Sequence, residues 1–241
     1  MNMRLKAFLI LFALMVIMTG APLQAATPEE SFKKSFPKYT LDSITPIAVP
    51  GVYEIVVQGK IGYYAPGPEY LFVGSIITPD GKNVTQERIM EIQAKKFKDI
   101  PLDKALKIGN GPNTVIEITD PDCSFCRKAS EFFSKRTDVT RHIFFYSLSS
   151  NPNSEAKIRQ IFCAKAEDRA KAYEEAMTGK LDDMKFTPCK NDKVDELLKA
   201  HKEIGDRVGV TGTGTPLFLI NGQVVNGANI PLIEKILGEK K

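Results

Sequence analysis

The chain has 241 residues, enough for one large domain or two small ones. Hydrophobic residues make up 43% and charged residues 26%, an ordinary globular balance. The formal net charge is +4; without Arg4 and Lys6, which lie in a removable leader, 31 basic residues face 29 acidic ones, no argument for nucleic acid.

The first 26 residues read as a secretory signal peptide. Arg4 and Lys6 form a basic start, Ala7 to Met18 is an unbroken apolar run of 12 residues, and Thr19 to Ala26 is small and polar with Gly20 and Pro22. An uncleaved anchor is the alternative, but the run is too short for about 30 Å of hydrocarbon. Cleavage is expected after Ala25 or Ala26.

Residues 27–84 read as a small sheet domain. Ser31 to Phe36 suggests a short helix; 52–57, Lys60 to Tyr64 and Tyr70 to Ile77 are rich in aromatic and β-branched residues and read as strands. Pro66-Gly67-Pro68 and Pro79-Asp80-Gly81 are turns. So small a domain buries a meagre core, and an exposed sheet edge is a place for a second copy to pair. Residues 85–108 read as a partly solvated linker helix with Thr85 as N-cap. Its basic cluster Lys95-Lys96-Phe97-Lys98 reads as a solvated face.

After Gly109-Asn110-Gly111-Pro112 the pattern changes. Thr114 to Ile118 (strand), Ser124 to Ser134 (helix) and Ile143 to Tyr146 (strand) suggest a parallel βαβ unit. Ser154 to about Thr178 and Val194 to Val208 read as helices in a block over 151–208. Asn221-Gly222 between two apolar runs signals a hairpin, and a last helix follows from Pro231. Of the two histidines, His142 reads as a strand residue and His201 as a helix-surface residue.

The chemistry lies in Cys123-Ser124-Phe125-Cys126, after a strand and at the start of a helix. A helix N-terminus offers unpaired N–H groups and partial positive charge, which favour a thiolate, the nucleophilic form. Cys123 would attack and Cys126, one turn inward, would resolve the mixed disulfide. Zinc would need two further ligands, and the histidines show no paired spacing, so the context favours redox chemistry over a metal site or a structural local disulfide. No charged residue separates the sulfurs; Arg127 and Lys128 favour the thiolate and Asp122 opposes it, which predicts moderate thiolate stabilisation. Cys163 and Cys189 would close a loop of about 27 residues, a structural disulfide worth ~3–4 kcal/mol on the loop-entropy model. Glu117, six residues before Cys123 in an apolar strand, is either exposed by alternation or a buried proton relay for the resolving cysteine.

The Cys-Ser-Phe-Cys motif, Gly214-Thr215-Pro216 before the hairpin, the inserted helical block and the leading sheet domain together resemble the periplasmic thiol:disulfide interchange proteins of the bacterial DsbC/DsbG family, in the thioredoxin superfamily. The resemblance implies an α+β N-terminal dimerisation domain at 27–84 plus an α/β thioredoxin-like domain with a helical insertion at 109–241. It implies a cis bond before Pro216, with the Thr215 backbone turned outward to an extended client and Thr215 near the Cys123 sulfur. It implies a periplasmic homodimeric disulfide isomerase or reductase, also a chaperone. Its clients would be misfolded or misoxidised exported proteins, and a membrane reductase of the DsbD type would recharge it without a cofactor. Thioredoxin and the oxidase DsbA carry an acid at the Glu117 offset, whereas DsbC is apolar there. Glu117 therefore lends weight to a rival reading as a monomeric dithiol oxidase or specialised thiol reductase. A holdase chaperone with a vestigial cysteine pair is the non-enzymatic alternative.

Overall fold

The computed structural model describes residues 26–148, 153–185 and 189–238, so the leader read at 1–26 lies outside the described residues but for its last position. The chain divides into two compact units, Met1–Ser75 and Ile76–Lys241.

In the first unit, α1 (Pro28–Ser35) begins with a capping box. The Thr27 hydroxyl accepts from the Glu30 N–H at 3.2 Å, and the Glu30 carboxylate accepts from the Thr27 N–H at 2.8 Å. Pro28 occupies a first-turn position where its missing N–H costs nothing. Phe32 is the buried residue of α1 and packs edge-on to Tyr64, ring centroids 5.2 Å apart. Both lie over an antiparallel sheet, β1 (Leu41–Pro46), β2 (Tyr53–Val57), β3 (Lys60–Ala65) and β4 (Tyr70–Phe72), in that spatial order. β1 was not legible, because only Leu41 and Ile44 face the core in Leu41-Asp42-Ser43-Ile44-Thr45-Pro46. β4 ends at Phe72, short of the expected Ile77, because the chain at 76–78 bonds instead to 82–85 across the Pro79-Asp80-Gly81 turn.

The second unit begins before α2 (Val84–Lys96). Asn83, not Thr85, is its N-cap: the Asn83 side chain accepts from the Gln86 N–H at 2.9 Å. Thr85 is turned inward, its hydroxyl accepting from the Ile76 N–H. α2 ends ahead of Asp99, whose φ is +59°, and Pro101. The helix is docked rather than a free linker. Gln93 donates to the Val208 carbonyl at 3.2 Å, and Phe97 is buried with Val208 and Val224. The contact boundary therefore falls after Ser75, ahead of the sequence reading at 84.

The central sheet runs β5-β7-β6-β8-β9, with β5 (Leu106–Ile108), β6 (Asn113–Thr119), β7 (Val139–Phe145), β8 (Leu217–Ile220) and β9 (Gln223–Asn226). Only β6 and β7 pair in parallel. Their crossover carries α3 (Ser124–Ser134). Asn221 and Gly222 have φ of +47° and +84°, the left-handed pair that a type I′ hairpin needs. α3 and the terminal α7 (Ile230–Leu237) cover one face through Ala129, Phe133 and Ile233. α2 and α6 (Asp192–Val208) contribute to the opposite core.

The insertion contains α4 (Ser154–Cys163) and α5 (Arg169–Met177), separated by extended backbone at Ala164 and Lys165, so the single helix read over 154–178 is two. His201 is fully buried, not on a helix surface. It falls on the inward stripe of α6 with Val194, Ile204 and Val208, spaced by threes, fours and sevens. Its Nδ1 accepts from the Phe145 N–H at 3.0 Å, so Nε2 carries the proton and donates to the Lys104 carbonyl at 2.8 Å. Burial holds its pKa down to about 4. His142 lies on β7.

Candidate active site

The site forms where β6 ends and α3 begins. Asp120 receives the Asp122 N–H on its side chain at 2.9 Å and the Cys123 N–H on its carbonyl at 3.1 Å, closing a tight turn. That turn leaves Cys123 as the N-cap of α3 in extended backbone, with no acidic residue in the first helical turn. Cys123 is partly exposed, Cys126 has no exposed surface, and both are free thiols. Phe125 between them is 61% exposed. An apolar ring of that exposure beside the outer sulfur suits contact with an unfolded chain.

The two sulfurs are unequal. A hydrogen bond from the Cys126 thiol, joined by backbone N–H groups of the helix start, lowers the Cys123 pKa to about 5 against the opposing effect of burial. Burial drives the Cys126 pKa upward, and the Thr119 and Thr215 hydroxyls only partly offset it. The outer sulfur is thus a stable thiolate at neutral pH and the inner one holds a proton. The Asp120 N–H also reaches the Cys126 sulfur at 3.4 Å.

Across from the helix mouth, Thr215-Pro216 is a cis peptide. The Thr215 carbonyl lies 3.4 Å from the Cys123 sulfur, within reach of a hydrogen bond only when that sulfur is protonated, and Thr215 itself is nearly buried. Cys163 and Cys189 are bonded to each other, Cα atoms 6.6 Å apart, at the far end of α4. Among the described residues no group of three or more His, Cys, Asp or Glu could hold a metal.

Glu117 is fully buried. Period-two alternation puts it on the same face of β6 as Thr119, the face toward α3. Its Oε2 accepts from Arg141 Nη2 at 2.6 Å and Nε at 3.1 Å, while Oε1 has no hydrogen-bond partner among the described residues. Arg141 also donates to the Tyr173 hydroxyl at 2.6 Å, which reaches Ser130 on α3 at 3.1 Å. Burial disfavours the Arg141 cation, but Glu117 outweighs it and the guanidinium stays charged.

Sequence reasoning missed Arg141, Asp120 and Lys157. Arg141 fell outside the strand as read, which began only at Ile143, whereas β7 starts at Val139. Thr119 had a signal: it stands two residues from Glu117 and so shares its face.

A dithiol at the mouth of the crossover helix, facing a cis-proline ahead of a hairpin, defines a thioredoxin-like exchange domain. Comparison agrees: the thioredoxin-like domain model matches residues 101–232, more than half of the chain, and the chain belongs to that family. The model for the N-terminal domain of the disulfide bond isomerase protein matches residues 19–86. A probable thiol:disulfide interchange protein DsbC of Bordetella avium is 29% identical over 117 residues, 47% of this chain and 42% of that protein. The chain thus spans less than half the length of that relative. The thiol:disulfide interchange protein DsbC of Haemophilus influenzae is 23% identical over 86% of this chain and 88% of its own length. The thiol-disulfide exchange protein alpha-DsbA2 of Wolbachia pipientis aligns at TM-score 0.50 and 13% identity, covering 65% of this chain and 98% of that one, a likeness of fold alone.

Proposed function

We propose that this protein is a periplasmic disulfide isomerase and reductase acting through Cys123-Ser124-Phe125-Cys126. The observation that carries the reading is the pairing of a partly exposed Cys123 at a helix N-terminus with a fully buried Cys126 one turn in, an arrangement that lowers the first pKa and raises the second. The Cys123 thiolate attacks one sulfur of a client disulfide. The Cys123–client bond forms as the client S–S bond breaks and expels a client thiolate, which takes a proton from solvent only on the route to net reduction. In isomerisation that client thiolate attacks another client disulfide, and a client sulfur finally displaces Cys123. In net reduction Cys126 loses its proton and attacks Cys123, releasing the reduced client and leaving Cys123–Cys126 oxidised.

Glu117 serves as the acceptor for the Cys126 proton. Its unpartnered Oε1 supplies the free lone pair, on the strand face that α3 covers. The Thr215 backbone beside Cys123 presents an edge for an extended client segment. Clients are misoxidised exported proteins, and a membrane reductase of the DsbD type returns the pair to the dithiol. The first unit joins two copies. Its β4 edge is unpaired among the described residues and is flanked by exposed Tyr70 and Val73.

The test is recovery of a client with scrambled disulfides. Cys123→Ser abolishes recovery. Cys126→Ser keeps isomerisation, accumulates mixed disulfide and loses net reduction. Full recovery with Cys123→Ser contradicts the reading and leaves a holdase. The rival oxidase reading draws on Glu117; it predicts that the pair, trapped from its native compartment, is mainly oxidised rather than reduced.

A further inference from the structure

Beside the cysteines lies a charge cluster that the exchange steps do not use. Lys157 of α4 is 1% exposed, a rare place for an ammonium unless it is paired. Its Nζ donates to Asp122 Oδ1 and, at 2.6 Å, to Asp182 Oδ1 in the turn after α5. Arg127 of α3 grips the same carboxylates. It donates to Asp182 at 2.6 and 2.7 Å, to Asp122 at 3.2 Å, and to the Pro121 carbonyl at 2.7 Å. Ser154, at the start of α4, donates to Asp120 and also lies 3.3 Å from Asp122. Arg127 and Lys157 together hold the Asp182 pKa down to about 2, Arg127 contributing most.

The cluster therefore joins three pieces of chain: the 120–122 turn that sets Cys123, the first turn of α3, and the insertion. Asp122 is the residue immediately before Cys123, and an uncompensated carboxylate there disfavours a thiolate. Arg127 alone cannot cancel both Asp122 and Asp182. One cation against Asp122 and Asp182 leaves a net negative charge that Lys157 offsets, while the third carboxylate, buried Asp120, accepts from the Asp122 and Leu148 N–H groups and the Ser154 hydroxyl.

We propose that Lys157 is a positioning residue for the cysteine chemistry: clamped between Asp122 and Asp182, it ties the active-site turn to the helical insertion and cancels the carboxylate next to Cys123. The inference rests on the functional reading above, since it assigns Lys157 to the electrostatics of the attacking sulfur. The groups that act on that sulfur directly are Cys126, the Phe125 N–H and Thr215, while the charged groups packed around the turn that carries it are Arg127 from α3, Asp120 and Asp122 from the turn, Lys157 from α4 and Asp182 after α5.

The test follows Cys123 ionisation by thiolate absorbance, and by iodoacetamide alkylation rate against pH, in the full chain with circular dichroism as the check on folding. Lys157→Met is expected to raise the Cys123 midpoint by about one pH unit, which slows alkylation roughly tenfold below the midpoint. Lys157→Arg keeps the wild-type midpoint. Asp122→Asn, which removes the carboxylate and leaves both cations, lowers the midpoint and needs no buried charge to be deleted. Asp122→Asn combined with Lys157→Met returns it toward wild type. If Lys157→Met fails to fold, the Asp122→Asn shift decides alone. A midpoint unmoved in Lys157→Met or in Asp122→Asn, whatever happens to melting temperature, overturns the proposal and leaves a merely structural lysine. If the wild-type midpoint itself is that of an ordinary thiol, the functional reading fails first, so the two failures are distinguishable.

Discussion

Two sulfurs with identical chemistry are driven apart by position alone. Cys123 at the helix end accepts hydrogen bonds that favour its charge, while at Cys126, one turn in, burial and the neighbouring Cys123 outweigh the Thr119 and Thr215 hydroxyls. The Cys123 value of about 5 lies between those of a reductant such as thioredoxin, about 7, and the oxidant DsbA, about 3.5. The motif predicts moderate thiolate stabilisation by Arg127 and Lys128; the hydrogen bonds at the helix start are what lower the Cys123 pKa here. Arg127 was expected to act directly on Cys123; it is committed to Asp182, Asp122 and the Pro121 carbonyl. At Glu117 the relay makes a sharp prediction. Glu117→Gln shifts the pH dependence of net reduction, where Cys126 must lose its proton, and an unchanged profile rules the relay out. Arg141→Met strands a buried carboxylate and costs ~3–5 kcal/mol in denaturant unfolding, whereas the double variant Glu117→Gln with Arg141→Met recovers most of it. A cost under about 1 kcal/mol for the single variant means the pair is not the buried unit described.

At the scale of elements, what the sequence made legible is what local chemistry dictates. The strand before the cysteines, the helix after them and the Asn221-Gly222 hairpin each carry a pattern confined to neighbours in the chain. What was hidden depends on distant partners. β5 has three residues and exists because Leu106, Lys107 and Ile108 pair with β7. Thr85 looked like a cap because its inward bond to Ile76 cannot be seen from Gln86-Glu87. Glu117 was legible as buried or exposed, yet Arg141, 24 residues on, decides how it is held. His201 belongs to the same class: the stripe of α6 could have revealed it, but its polar ring suggested a surface. It now joins α6 to β7 and to the segment before β5 as a neutral imidazole. With a folded pKa of about 4 against an ordinary 6.5, the unfolded chain binds the extra proton between those values. Stability is therefore full above pH 6.5 and falls by about 3 kcal/mol as pH drops to 4. His201→Gln should flatten that part of the profile; an equally steep profile in the variant removes His201 as the cause.

At the scale of the whole molecule, the Cys123–Cys126 pair sits in the second unit, and a sheet edge unpaired among the described residues sits in the first. An isomerase that holds a client through repeated attacks gains from a second copy, and a small open sheet gains stability from pairing an edge such as β4. Sedimentation equilibrium of the full chain should give a dimer, and residues 76–241 expressed alone a monomer; a full-length monomer removes the first unit from this role and favours the rival oxidase. The central claim itself concerns one atom. Brief iodoacetamide treatment of the reduced protein, scanned from pH 4 to 9 with the modified cysteine located by mass spectrometry, reads it directly. The account predicts alkylation confined to Cys123 with a midpoint near 5. A midpoint near 8.5, the value of a free thiol, or equal labelling of Cys126, would contradict it.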